Sequence, residues 1–389
     1  MEQKDIKQGA VIKVIGVGGG GNNAVNRMLE GNNHGIEFIV ANTDIQVLNI
    51  SKATKKIILG EQTSKGLGAG ANPEIGRQSA IESRETLKNA LAGADLVFIA
   101  AGMGGGTGTG AAPEIAKIAQ EAGALTVAIV TKPFRFEGKN RNKYANEGIA
   151  ELRKHVDSII IISNDKLLDL TGAVPITESF READNILKQG VQTITDLIAV
   201  PAQINLDFAD VKTVMSKKGS ALFGIGIGSG PNGAVDAANK AINSSLLETS
   251  IYGAKDAIVN ITGGSELTLN DAYDAVDVIQ QATGEDLNIV FGMATNAALK
   301  ENIIVTIIAT GYEEELEDTT NQNLQRSRVR QQEEIFSTNL ETPREQRVIN
   351  SENYRRNEPI EEPKTFNLGQ MNFEDDDDDD FPNFVNRRK

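Results

Sequence analysis

The sequence predicts an α/β protein with a doubly wound, mostly parallel sheet, a long central helix, a second smaller α/β domain and a disordered C-terminal tail. Three observations carry that reading. Five short, nearly continuous β-branched runs alternate with helical stretches over residues 10–175. A single apolar stripe follows at 177–199, and composition then breaks sharply near Tyr312.

The strands are VIKVIG (11–16), EFIVAN (37–42), DLVFIAAG (95–102), LTVAIVT (125–131) and SIIIIS (158–163). Runs without polar alternation suit strands buried on both faces of a parallel sheet. Helical stretches at 22–30, 74–92, 111–122 and 143–155 lie between them, which gives one doubly wound domain over about 10–175. Pro113 suits the first turn of the third of these helices. Next, Phe180, Ala183, Leu187, Val191, Ile194 and Ile198 fall three or four apart. About 23 residues at ~1.5 Å each would span roughly 35 Å, so the helix at 176–200 can run beside a whole domain. Strands at 221–228, 256–262, 288–294 and 303–310, with helices at 231–247 and 268–282, make the second domain, 201–312.

From 313 to 389 the chain carries 20 acidic and 11 basic side chains and no sustained apolar period. It cannot bury enough surface to offset its ordering entropy. We therefore expect a disordered acidic linker over 313–380, with at most a transient helix at 322–335. The end, FPNFVNRRK (381–389), places Phe381, Phe384 and Val385 beside Arg387 and Arg388, a short amphipathic peptide on a long tether.

Composition excludes several classes of function. The net charge of −15 argues against DNA or an anionic membrane as partner, since both need a basic footprint. The absence of cysteine removes disulfides, thiolate catalysis, Cys-ligated zinc and iron–sulfur clusters. His34 and His155 are too far apart in sequence to suggest a His-rich metal site or a Ser-His-Asp triad. No apolar run approaches the ~18 residues of a membrane span, and the N-terminus does not read as a secretory signal. A soluble, cytoplasmic protein is expected.

The glycines carry the chemistry. Gly16-Val-Gly18-Gly-Gly-Gly21 directly follows the first strand and opens the first helix, with Asp44 23 residues past Gly21. A strand–glycine loop–helix lets backbone N–H groups approach phosphate oxygens in front of a helix N-terminus. Alone, this G-x-G-x-x-G is a dinucleotide fingerprint, or simply a tight turn. A second cluster, Gly102-Met-Gly104-Gly105-Gly106-Thr107-Gly108-Thr109-Gly110, also follows a buried strand and opens a helix. Two such loops suggest a triphosphate held from two sides. No G-x-x-x-x-G-K-[ST] is present, so backbone N–H groups, the Thr107 and Thr109 hydroxyls, a helix dipole and Mg²⁺ would have to meet the charge. A third stretch, 66–73, is either a flexible loop or a cap on the γ-phosphate.

GGGTGTG at 104–110 resembles the signature of the tubulin/FtsZ superfamily, on its bacterial rather than its eukaryotic side. Seven motifs carry the resemblance, in order across about 10–312: GVGGGGNNAVNRM at 16–28, ANTD at 41–44, GLGAGANPE at 66–74, GMGGGTGTGAAP at 102–113, FEGKNR at 136–141, FREADN at 180–185 and NLDFADV at 205–211. The resemblance implies GTP/GDP binding on the first domain, with Mg²⁺ but no assigned protein metal ligand. It further implies head-to-tail homopolymers, hydrolysis completed by a loop of the next subunit, and a division ring at midcell on the inner face of the membrane. Membrane-tethering and regulatory division proteins would bind 381–389, without nucleic acid and without direct membrane insertion. The peptide departs from the family pattern around Pro382, which leaves the partner open.

By motif, Gly18, Gly19, Gly20, Gly21, Asn22 and Asn23 would hold phosphates and nucleoside, together with Gly102, Gly104, Gly105, Gly106, Thr107, Gly108 and Thr109. Asp44, Ala69, Gly70, Ala71, Asn72 and Asn164 complete the set. Glu137 and Arg141 would contact the ribose and phosphate side, and Asp184 would read guanine. A carboxylate can accept from the N1–H and exocyclic amine of guanine together, a pair adenine does not offer. Phe180 lies one helical turn before Asp184, so ring and carboxylate would face one site, although both equally fit a core stripe and a solvated surface. Asp207 and Asp210 would activate water in the neighbouring subunit's γ-phosphate site. By spacing alone they are an N-cap and its partner three residues on, and the two roles are compatible.

Two alternatives stay open at this stage. A nicotinamide-dependent oxidoreductase would use Gly16–Gly21 and Asp44 but leaves 102–110 unexplained, and an assembly protein could bind GTP without turning it over.

Overall fold

The β-branched runs become parallel strands because helices cover both of their faces, leaving no side for polar alternation. The computed structural model describes residues 9–30, 35–171, 175–199, 203–204, 206–244, 246, 250–284 and 287–312. Its first six strands are β1 (Ile12–Val17), β2 (Ile36–Asn42), β3 (Lys55–Ile58), β4 (Leu96–Gly102), β5 (Leu125–Lys132) and β6 (Ser158–Ser163). They are ordered β3-β2-β1-β4-β5-β6, all parallel. In such an order the winding reverses between β1 and β4, and the crevice beyond their carboxyl ends is where ligands bind. Both glycine clusters leave the sheet at that point, since Gly16 pairs with Ala100 and Val17 with Ala101.

The helices are α1 (Gly18–Met28), α2 (Ile45–Ile50), α3 (Pro73–Glu82), α4 (Arg84–Leu91), α5 (Thr107–Glu121), α6 (Lys139–Leu152), α7 (Asn164–Thr171), α8 (Ile176–Ala199) and α9 (Phe208–Met215). One face of the sheet packs on α3, α4, α5 and α6 through Ile15, Ile99, Leu87, Ile115 and Leu152. The other packs on α1, α8 and α9 through Val14, Phe98, Val25, Leu187, Ile194 and Val214.

The second half contributes β7 (Gly219–Ser229), α10 (Gly233–Ile242), β8 (Asp256–Gly263), α11 (Leu269–Thr283), β9 (Asn288–Thr295) and β10 (Asn302–Thr310). Its strands continue the sheet as β7-β10-β8-β9. β7 joins the halves by pairing in parallel with β6 over Ser158–Ile160, and β10 lies antiparallel to both β7 and β8. Phe223, Ile258 and Ile308 share a core with α8 and the first sheet.

Three expectations need correction. Helices expected at 22–30 and 111–122 begin at Gly18 and Thr107, so Gly18–Gly21 and Thr107–Gly110 are first turns rather than loops, while Gly104–Gly106 stay in a turn before α5. Their low helix propensity is overridden by close packing: a Cβ on Gly20 would come within 3.3 Å of Gly102, and one on Gly110 would strike Pro73 of α3. Pro113 consequently sits inside α5 in its second turn, not its first. The single helix expected over 74–92 is two, broken at Ser83. There Ser83 Oγ accepts from Gly60 N (3.0 Å), while Glu82 accepts from Gln62 N and Thr63 N, pinning the break to a neighbouring loop.

Among the described residues no helix is long and apolar enough to cross a membrane. His34, the linker, the acidic block and the 381–389 peptide lie outside the described residues.

Candidate nucleotide site

Three glycine-rich segments far apart in sequence meet at the carboxyl ends of β1 and β4. Gly18 adopts φ +70°, and a Cβ there would stand 2.8 Å from Gly108 N. Gly106 faces the 66–72 loop, where an added Cβ would come 2.7 Å from Ala69 Cβ and 2.9 Å from Asn72 N. Thr43, just past β2, shares a 2.6 Å hydroxyl–hydroxyl hydrogen bond with Thr107. Against this tight background, a Cβ on Gly19, Gly70 or Gly105 would meet nothing within 4 Å. Those three open positions line up with the exposed or half-exposed edge of the cradle, and the N-terminal turns of α1 and α5 present unpaired N–H groups there.

Around this edge the expected residues divide into supports and open groups. Asn22 is completely buried. With its amide oriented to satisfy its neighbours, it donates to Gly16 O and Gly18 O (both 2.9 Å) and accepts from Asn42 Nδ2, bracing the turn. Thr109 is also buried and accepts from Gly104 N at 2.8 Å. Asp44 Oδ1 caps α2 through Gln46 N (2.8 Å), and Asp44 bridges to Leu67, which fastens the 66–72 loop beside the cradle. Asn23 is exposed, and Asn72 caps α3 through Glu74 N. Ala71 holds φ +58°, a left-handed conformation that costs a non-glycine residue about 1 kcal/mol or more.

A second group gathers beside it. Phe134 packs face to face on Phe136, and both meet the Phe180 ring edge-on at 5.2 and 6.5 Å between centroids. Phe136 and Phe180 stay substantially exposed, so Phe180 stands off the α8 core stripe. Glu137 Oε1 accepts from Phe134 N (2.9 Å), and its other oxygen pairs with Arg141. Arg141 O packs against Gly104, which ties this turn to the second glycine cluster. Arg135 pairs with Asp165 and draws the start of α7 to the same turn. There Asn164 is buried, and its Oδ1 has no hydrogen-bond partner. A buried amide oxygen without a donor is expensive.

Asp184 lies one turn past Phe180, its side chain 13 % exposed, with Oδ2 3.1 Å from Arg27 Nε of α1. Burial pushes its carboxyl up to about 6, against the opposing pull of Arg27. At neutral pH it is therefore an ion, but only narrowly so.

Asp207 and Asp210 are elsewhere. Asp210 N donates to Asp207 Oδ1 (2.9 Å) and Asp207 N to Asp210 Oδ2 (3.3 Å), a reciprocal capping box at the start of α9. Both carboxylates are exposed. The neighbouring Leu206 N bonds to Leu197 O near the far end of α8, seventeen residues beyond Phe180. At ~1.5 Å per residue that separates the two by about 25 Å along the helix. The structure thus gathers the expected binding residues at one end of α8 and leaves the two aspartates near the other. His155, by contrast, sits in the turn just past α6, 3.6 Å from Glu151.

Comparison with known proteins identifies the family and the fold. The GTPase-domain model of the tubulin/FtsZ family matches residues 11–172, and the C-terminal-domain model of the FtsZ family matches 219–313. Among solved structures, an empty FtsZ dimer from M. jannaschii is 40% identical, covering 79% of this chain and 89% of its own, with a TM-score of 0.76. A point mutant of M. jannaschii FtsZ, also 40% identical, covers 80% and 94% with a TM-score of 0.77. GDP-bound CetZ1 from Haloferax volcanii shares the fold at 21% identity, covering 82% and 99%, TM-score 0.67.

Proposed function

The chain belongs to the tubulin/FtsZ family and is a cytoskeletal GTPase of the cell-division type, and from that premise we propose that it hydrolyses GTP only between successive subunits of a head-to-tail filament. The observation that carries the proposal is the separation along α8. The Phe180 edge stands about 25 Å along α8 from Leu197, the residue to which the segment leading into α9 is tied. Carboxylates that far away cannot polarise a water on the γ-phosphate, which needs hydrogen-bond reach. A second copy stacked end to end would bring its own Asp207 and Asp210 to that water, a heterologous contact that propagates as a filament. The M. jannaschii FtsZ dimer shows self-association in a 40% identical relative.

In this reading the N–H groups opening α1 and α5 hold the phosphates, the 69–72 loop closes over the γ-phosphate, and Glu137 with Arg141 lies along the ribose. Asn164 and Asp184 read the base beside Phe180. Among the described residues no three carboxylate or histidine groups are gathered to hold a metal. Mg²⁺ would enter with the phosphates, where it would offset their charge. We further place the GTP-binding domain at 10–175, the central helix at 176–200 and the activation domain at 201–312. The linker and 381–389 would join the filament to membrane-tethering partners at a midcell ring.

Complementation tests the shared site. Asp210→Ala should bind GTP and hydrolyse little, and Asp184→Ala should keep the capping box but bind GTP weakly. Mixing the two should restore part of the activity, because some junctions then join an intact pocket to an intact box. No gain on mixing, with both chains folded, would rule out a shared site.

A further inference from the structure

Arg27 lies outside the residues expected to bind nucleotide, yet its ion pair reaches into that site at Asp184. It extends from the C-terminal half of α1, and its Nε sits 3.1 Å from Asp184 Oδ2. Asp184 is mostly buried beside an exposed aromatic edge. We propose that Arg27 is a positioning residue for guanine recognition, holding the Asp184 carboxylate ionised and turned so that its remaining lone pairs meet the base. The inference rests on the reading of Asp184 as the guanine-binding residue.

The geometry permits both contacts at once. An ionised carboxylate offers about four lone-pair directions over two oxygens. Arg27 occupies one on Oδ2, which leaves Oδ1 and the second Oδ2 direction for the guanine N1–H and exocyclic amine. Protonation would destroy this arrangement, because a carboxylic acid presents an O–H where the base presents N–H. Burial works towards that protonated state, and among the described residues Arg27 is the charge that opposes it at Asp184. The rest of the charged surroundings act mainly on Arg27 itself. Glu30 of α1, paired with Lys52, and Glu182 of α8 both lie within its electrostatic reach, as Lys188 does for Glu30. An arginine facing several acids is fixed in charge and place, and its Nε holds Oδ2 on one side of the carboxylate.

The sign follows directly. Guanine binding needs the carboxylate, so affinity is full above the Asp184 pKa and falls up to about tenfold per pH unit below it. The unmodified chain should begin to lose GTP as pH drops through about 6. Removing the guanidinium leaves burial unopposed and should move that loss upward by about one pH unit or more.

The experiment titrates a fluorescent GTP analogue into the full chain between pH 5.5 and 8.5, at protein concentrations below assembly. Phosphate protonation is common to every chain and cancels in the comparison. Arg27→Gln should match the unmodified chain closely at pH 8.5, bind about twofold more weakly at pH 7 and about fivefold more weakly at pH 6. Arg27→Lys should restore the original profile. A loss for Arg27→Gln that is the same at every pH, or no change at all, overturns the proposal, since a merely structural arginine would weaken binding uniformly. Asp184→Asn, compared on GTP and xanthosine triphosphate, tests the underlying reading separately. A shift towards xanthosine supports it, and retained preference for GTP means that Asp184 does not read the base at all.

Discussion

The glycine cradle and the α9 capping box are the two regions on which the proposed activity rests, and they are built in opposite ways. The cradle is backbone: Gly18, Gly106 and Gly108 are shaped by what touches them, and their surroundings leave no room for a side chain. The box is two exposed carboxylates on a short helix, each holding the other's backbone N–H. Where the backbone of a site is close-packed it cannot be altered without altering the fold, whereas exposed side chains can lose their chemistry and leave the chain folded. Binding and hydrolysis should therefore separate cleanly under mutation.

The strongest test of that separation is Asp210→Ala, which should lower hydrolysis by about 10²–10⁴-fold with GTP affinity unchanged. The same change removes half of the capping box, so thermal unfolding should report a loss of only about 0.5–2 kcal/mol. A parallel loss of GTP binding would join the two regions and break the comparison.

In the cradle the expected pattern reverses. Gly108→Ala drives a methyl to 2.5 Å from Gly102 O, and chemical denaturation should show about 2–3 kcal/mol of lost stability together with lost binding. Gly105→Ala, which meets nothing within 4 Å, should leave the unfolding midpoint nearly unchanged while weakening GTP binding. If both variants behaved alike, the open edge would not be where the phosphates sit.

Asp184→Ala sharpens the comparison at the base end, where a side chain rather than backbone does the reading. GTP should lose about 1.5–3 kcal/mol of binding, and ATP much less, in parallel titrations. The smallest effect belongs to Ala71, held at φ +58° in the loop over the cradle. Ala71→Gly should raise stability by about 1 kcal/mol or less in the unliganded chain. A destabilisation there would mean that the left-handed conformation is not a source of strain.

The sheet was legible because its strands are continuous apolar runs, and continuity of that kind has few alternatives. The α8 stripe was legible by its period, and the Asp207–Asp210 box by its spacing. What escaped the sequence was set by tertiary contact. Glycine is a poor helix former, so Gly18–Gly21 and Thr107–Gly110 look like loops until packing against β4 and α3 makes their missing side chains an advantage. β3 is only Lys55–Ile58, an edge strand too short and too polar to declare itself. The parallel pairing of β6 with β7 joins the two halves through Ser158–Ile160, residues with nothing distinctive about them. Arg27 is one basic residue on an amphipathic helix, and its reach to Asp184 across 157 residues has no signal in a single sequence. The orphaned Asn164 oxygen is likewise visible only once burial is known.

The central claim is that one chain holds the nucleotide and the next supplies Asp207 and Asp210. Phosphate release per subunit, measured across a wide range of protein concentration at saturating GTP, tests it most directly. The account predicts almost no turnover below a threshold concentration and a steep rise above it, because the site does not exist until two chains meet. Activity per subunit that stayed constant down to the lowest concentration would contradict it and leave a self-contained GTPase in which the two aspartates serve only as a helix cap.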